Sequence, residues 1–150
     1  MGAFTTLKNF FEYRFASDRL VDELISEHKA LIAIYNKLHA KLLNNDFESV
    51  LALLNKLFLQ YKKHVLREDS LFYAKLFKKY KGYDTIIHGI KEVREELNDL
   101  TMKFERFVAL YSSVEAIKNK LRAFVNDIEH LGEALKERME FEEKRLYILY

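Results

Sequence analysis

From Ile86 the chain lays down Ile90, Val93, Leu97, Leu100, Phe104, Phe107 and Tyr111 in alternating steps of four and three residues. That spacing keeps one face of an α-helix apolar for about seven turns, and it cannot serve a strand, whose faces alternate every second residue. Three more stripes share the period. One follows Val21, Leu24, His28, Leu31, Tyr35, Leu38 and Leu42. A second follows Phe47, Leu51, Leu54, Leu57, Tyr61, His64, Glu68, Leu71 and Leu76. The last follows Ile117, Leu121, Phe124, Ile128, Leu131 and Leu135 before landing on Arg138 and Glu142. The breaks between stripes carry helix punctuation. Ser17 or Asp18 can cap the first helix, Asn45 with Glu48 and the run Ser112-Ser113-Val114-Glu115 resemble capping boxes, and Gly82 followed by Asp84 ends one helix and starts another. With no proline and only four glycines in 150 residues, little remains to build turn-rich β structure. The expectation is an all-α, up-down-up-down four-helix bundle, a single domain over 1–150. The bundle occupies about 17–149, with a short extra N-terminal helix over about 5–15. No sequence repeat of longer period is expected.

Composition narrows the function classes. A net charge of +2 is too small and dispersed for a nucleic-acid protein, and the basic knot Lys78-Lys79-Tyr80-Lys81 reads as solvated. The absence of cysteine removes disulfides, thiolate metal sites and a cysteine nucleophile. No apolar run approaches about 18 residues, so no membrane span is expected and the reading is cytoplasmic. In the N-terminal segment Phe4, Leu7, Phe10, Phe11 and Phe15 form an aromatic face. It suits either packing over one end of the bundle or an interface with a partner, including a second copy in a homodimer.

The chemistry lies in the charged and imidazole side chains that interrupt the stripes. His28, His64, Glu68, Arg138 and Glu142 all fall on core-facing positions, and burial of such groups is costly unless they answer one another. His64 and Glu68 are four apart and share a face. His28 lies about 17 residues before the first break and His64 about 18 after it, which puts them at one level on antiparallel neighbours. Two readings follow. In one, Arg138 bridges Glu142 and Glu68 while the histidines complete a structural network that fixes helix register. In the other, the cluster is a di-iron site built from His28, His64, Glu68, His88 and Glu142, since bundles make such sites from His-x-x-x-Glu pairs. Ligand count favours the first: the third stripe is apolar, His88 falls about two residues off it, and Arg138 stands where a partner histidine would stand. The expectation is therefore no cofactor. Neither is an enzyme expected, because no nucleophile accompanies the cluster.

Two family resemblances bear on these residues. The run Leu131-Gly132-Glu133, Leu135, Glu137-Arg138, Glu140 and Glu142-Glu143, together with Leu20-Val21-Asp22 and His64, resembles the Rsd/AlgQ family of sigma-factor regulators. That resemblance implies a non-enzymatic bundle that binds the principal sigma factor of bacterial RNA polymerase at its region 4, with Leu20, Asp22, Gly132 and Glu133 as family-motif positions. Glu27-His28 and the segment from His64 to Asp69 resemble hemerythrin-like domains instead. This second resemblance implies a carboxylate-bridged di-iron protein that binds or reduces oxygen.

Overall fold

The computed structural model describes the backbone of residues 2–150 and the side chains of residues 19–150. Among the described residues there is no strand. Helix α1 spans Gly2–Leu43. It is followed by α2 (Phe47–Arg67), a π-helical turn (Glu68–Tyr73) and α3 (Ala74–Lys79), which continue one another as a single rod. Helix α4 is Asp84–Leu110. A short α5 (Val114–Asn119) is separated by the non-helical Lys120, at φ −126° and ψ 40°, from α6 (Leu121–Phe141), which closes with a second π turn (Glu142–Leu146) and a 3₁₀ turn (Tyr147–Leu149). Helix α1 packs on α2 and α6, and α4 packs on the same two, so α1 and α4 occupy opposite corners of an all-α bundle.

Local chemistry accounts for the boundaries and for where they depart from expectation. Helix α1 runs unbroken through Ser17 and Asp18, so no separate N-terminal helix precedes it. Neither glycine nor proline interrupts the chain from Ala3 to Leu43, and a good cap residue does not stop a helix whose upstream sequence also propagates it. The aromatic face from Phe4 to Phe15 lies outside the described side chains. At the first break Asn45 adopts φ 55° and Asp46, one residue later than expected, caps α2 by accepting from the Ser49 N–H at 3.3 Å. Gly82, at φ 92°, makes the turn into α4 in a conformation that side chains with a Cβ rarely adopt. Ser113 caps α5 by accepting from the Ala116 N–H at 3.0 Å.

The π turns shift the stripes. A π turn carries one residue more than an α turn, so everything after it rotates around the helix axis. Leu71, expected in the core, is 50% exposed, while Phe72 and Tyr73 are buried in its place. After Glu142 the buried residues are Leu146 and Tyr147. Among the described residues the core falls into two apolar clusters. The larger runs from Leu31 and Leu42 through Leu54, Phe104 and Phe124 to Met139, and the smaller gathers Leu20, Leu24, Phe72, Tyr73, Leu76, Ile90, Leu97, Leu146 and Tyr147. The buried polar residues belong to neither cluster.

Candidate metal centre

Helix α1 supplies His28, α2 supplies His64, and Glu68 and Glu142 are the first residues of the two π turns. All four side chains are buried, with 1%, 3%, 0% and 2% of their surface exposed. One donor atom from each lies within 4.8 Å of the other three. Nε2 of His28 is 3.0 Å from Nε2 of His64, 3.1 Å from Oε1 of Glu142 and 3.2 Å from the Tyr147 hydroxyl. Nε2 of His64 is 2.7 Å from Oε1 of Glu68. A single ring nitrogen carries one proton or one lone pair, so three polar neighbours cannot all be satisfied by His28.

The outer faces of the rings sharpen this conflict. Nδ1 of His28 faces Glu143 at 3.4 Å and Nδ1 of His64 faces Glu27 at 3.5 Å; both carboxylates are partly exposed. Glu27 is held in turn by Arg67 at 3.0 Å, and Arg67 also pairs with Glu23. Carboxylates at both Nδ1 atoms favour a proton there, which turns the two Nε2 lone pairs toward each other. Such an arrangement is repulsive unless a proton or a cation lies between them. Among the described residues six buried polar atoms have no aligned hydrogen-bond partner: Nδ1 of His28 and of His64, both oxygens of Glu68, Oε2 of Glu142 and Nε of Arg138. Natural interiors rarely leave so many groups unanswered at one point.

Electrostatics agree with a site short of positive charge. Burial pushes the Glu68 carboxyl up, opposed by His64 and reinforced by Glu142. Burial also works against the charged form of Glu142, but His28, His64 and Glu68 outweigh it and hold that carboxyl below its ordinary range. For His64 burial disfavours the cation, yet Glu142 and Glu68 prevail and the ring is pushed up to about 10. The neutral phenol of Tyr147 is favoured by burial and by the nearby carboxylates.

Arg138 does not bridge the two carboxylates. Its Nε is 3.5 Å from Oε2 of Glu142, and its Nη2 donates to the Tyr73 hydroxyl and to the Val93 carbonyl, each at 3.2 Å. No ion pair joins it to Glu68 among the described residues. The reason is positional, because the guanidinium is drawn toward α4 and Tyr73 and away from the histidines. His88 is also apart from the cluster: it is 75% exposed and faces Glu92, one turn on, at 3.0 Å. Asp22 and Glu133 are exposed, whereas Leu20 and Gly132 are buried. Gly132 faces the Tyr35 ring so closely that a Cβ would stand 2.2 Å from Cζ.

Glu143 enters the sequence reading only within the Rsd/AlgQ-like run, and Tyr73 and Tyr147 do not enter it, although a signal for all three exists. His-Val-Leu-Arg-Glu-Asp-Ser-Leu-Phe-Tyr (64–73) and Arg-Met-Glu-Phe-Glu-Glu-Lys-Arg-Leu-Tyr (138–147) share the pattern His/Arg-x-x-x-Glu-acidic-x-x-x-Tyr. In both copies the glutamate opens the π turn and the tyrosine is buried. The expectation of no longer repeat is thus corrected at the one place where the chain repeats its chemistry.

The family model of the Hemerythrin HHE cation binding domain matches residues 19–150. No curated protein and no solved structure matches the chain. No helix among the described residues is long and apolar enough to cross a membrane. The expectation of no cofactor is overturned by this family match taken with the buried donor set of His28, His64, Glu68 and Glu142.

Proposed function

We propose that this chain, which belongs to the hemerythrin HHE cation-binding domain family, is a metal-binding protein that holds one iron ion on His28, His64, Glu68 and Glu142. The observation that carries the reading is the convergence of two imidazole Nε2 atoms and two carboxylates within 4.8 Å, with the opposite Nδ1 atoms turned toward outer carboxylates. Donors bound to one ion at about 2.1 Å and at right angles stand about 3.0 Å apart, and the separations of 3.0 and 3.1 Å around His28 fit that spacing. Two histidines with carboxylate oxygens form a donor set suited to non-haem iron, a metal that supplies one-electron chemistry and open positions for a small ligand.

One ion is favoured over two. Helix α4 brings no His, Asp or Glu to the cluster among the described residues, and Arg138 occupies the position that corresponds to His64 in the repeated segment. A fixed guanidinium beside Glu142 opposes a second cation there. Burial of all four donors argues against an organic substrate, and the ligand assigned to the site is a diatomic such as dioxygen. The reading therefore assigns binding of a small ligand and no hydrolytic or transfer reaction. Neither the family match nor the cluster speaks for sigma-factor binding, and the metal reading takes its place.

Metal analysis of protein purified without added metal, followed by titration of the chelator-treated protein with ferrous ion, tests this. One ion per chain in the wild type, lost in His64→Ala, is expected. No uptake, or uptake unchanged in that variant, would refute the site.

A further inference from the structure

The repeated segment places a tyrosine five residues after each π-turn glutamate, and this spacing matters for the metal centre. Five residues of α-helix turn a side chain through about 140° beyond one revolution, so Tyr147 would face away from Glu142 in an uninterrupted helix. Wider π winding takes up the extra residue, and the Tyr147 N–H bonds to the Glu142 carbonyl one π turn back. Tyr147 thereby comes round to the side of Glu142. Its ring lies nearly parallel to that of His28, with centroids 5.7 Å apart and 17° between planes, and it meets the Phe72 ring at 70° with centroids 5.1 Å apart. Its hydroxyl is 3.2 Å from Nε2 of His28, the atom on which His64 and Glu142 also converge. The side chain is only 5% exposed.

The matching tyrosine of the first copy serves otherwise. The Tyr73 hydroxyl accepts from Arg138 Nη2. The two π turns thus deliver one phenol to Arg138 and one to His28.

We propose that the phenolic oxygen of Tyr147 is a fifth donor of the metal centre and biases it toward ferric iron. This inference rests on the four-donor site and adds to it a residue outside the His and Glu set. The 3.2 Å separation from His28 Nε2 is close to the spacing of neighbouring donors around one ion, about 3.0 Å for bonds of about 2.1 Å. Phenolate is a hard anionic oxygen ligand that favours the higher charge of Fe(III), and tyrosine ligates iron in some haem proteins. On binding, the phenol O–H bond breaks, an iron–oxygen bond forms and the proton leaves to the buffer; no electron is exchanged.

Chelator-treated protein is titrated with ferric citrate while bound iron and the visible absorption of a ferric–phenolate pair are followed. The wild type is expected to take up one ion and develop the visible band. Tyr147→Phe, which keeps the buried ring, is expected to take up the ion without the band, and Tyr73→Phe to keep both. Uptake of one ion by the wild type with no visible band overturns the fifth donor and leaves the four-donor site intact. So does a band that persists in Tyr147→Phe or disappears in Tyr73→Phe. Absence of uptake of either ferrous or ferric ion by the wild type removes the four-donor site itself, and the fifth donor with it.

Discussion

Replacing Arg138 by methionine separates the structural role of the guanidinium from its effect on the metal. Arg138 is 10% exposed, its Nε stands 3.5 Å from a Glu142 carboxylate that is 2% exposed, and its Nη2 donates to Tyr73 and Val93. Methionine keeps most of the apolar stem and deletes the charge. Breaking a buried pair from one side costs roughly 3–5 kcal/mol; the partial exposure and the long contact place this one at the lower end, about 3 kcal/mol. With a urea slope of about 2 kcal/mol/M, the midpoint of the metal-free protein should fall by about 1.5 M. A bound cation supplies positive charge to Glu142, so the same substitution should cost at least about 1 kcal/mol less in the loaded protein. By linkage, Arg138→Met then binds the ion about fivefold or more tightly than the wild type. Urea unfolding of both proteins, with chelator and with saturating ferrous ion, measures all four corners of this cycle. A metal-free variant as stable as the wild type, or a loss equal with and without metal, refutes this role for Arg138.

Three other outcomes follow from the site and its surroundings. Glu68→Gln should abolish tight metal uptake in titration. Because burial raises the Glu68 carboxyl to about 8 from an ordinary value of 4.5, the metal-free wild type should lose stability as pH rises between those values, and urea midpoints of Glu68→Gln should lack that part of the slope. His64 holds its proton up to about 10 and must release it to bind a cation, so metal affinity should strengthen as pH rises toward that value, with proton release seen by calorimetry in two buffers. Gly132→Ala sets a Cβ 2.2 Å from Tyr35 Cζ, forcing the ring and its 3.3 Å hydrogen bond to the Ile128 carbonyl to shift; a loss of roughly 1–3 kcal/mol in urea unfolding is expected, with no change in metal stoichiometry.

Periodicity made the four helical rods readable, because each apolar stripe has to face a partner over its whole length. The same argument put His28, His64, Glu68 and Glu142 on core positions, since a charged residue keeps the helical phase of its neighbours. What periodicity could not show was any event that changes the phase. Counting onward from Glu68 places Leu71 in the core, and the π turn at Glu68–Tyr73 moves it to 50% exposure. Tyr147 escapes periodicity for the same reason, since in α-helical phase it lies away from Glu142. Arg138 misled in another way. Its charge in the sequence opposes any metal nearby, whereas its contacts with Tyr73 and Val93 draw it to one side of the cluster. Ser17 and Asp18 show a third limit, for capping residues mark a helix end only where the flanking sequence does not extend the helix through them.

The division of the interior into two apolar clusters bears on how the protein opens. Among the described residues seventeen make up the larger cluster and nine the smaller, with partly buried Val65 touching both. Groups that repel or lack partners couple weakly, so the empty protein has a plane of low cohesion between two unequal halves. The smaller half should then open on its own, and amides around Leu24, Phe72 and Leu146 should exchange with deuterium well before those around Leu54 and Phe124. A cation tied to α1, α2 and α6 joins the halves across that plane. Loaded protein should therefore exchange as a single unit, making metal occupancy legible in how much of the fold melts at once.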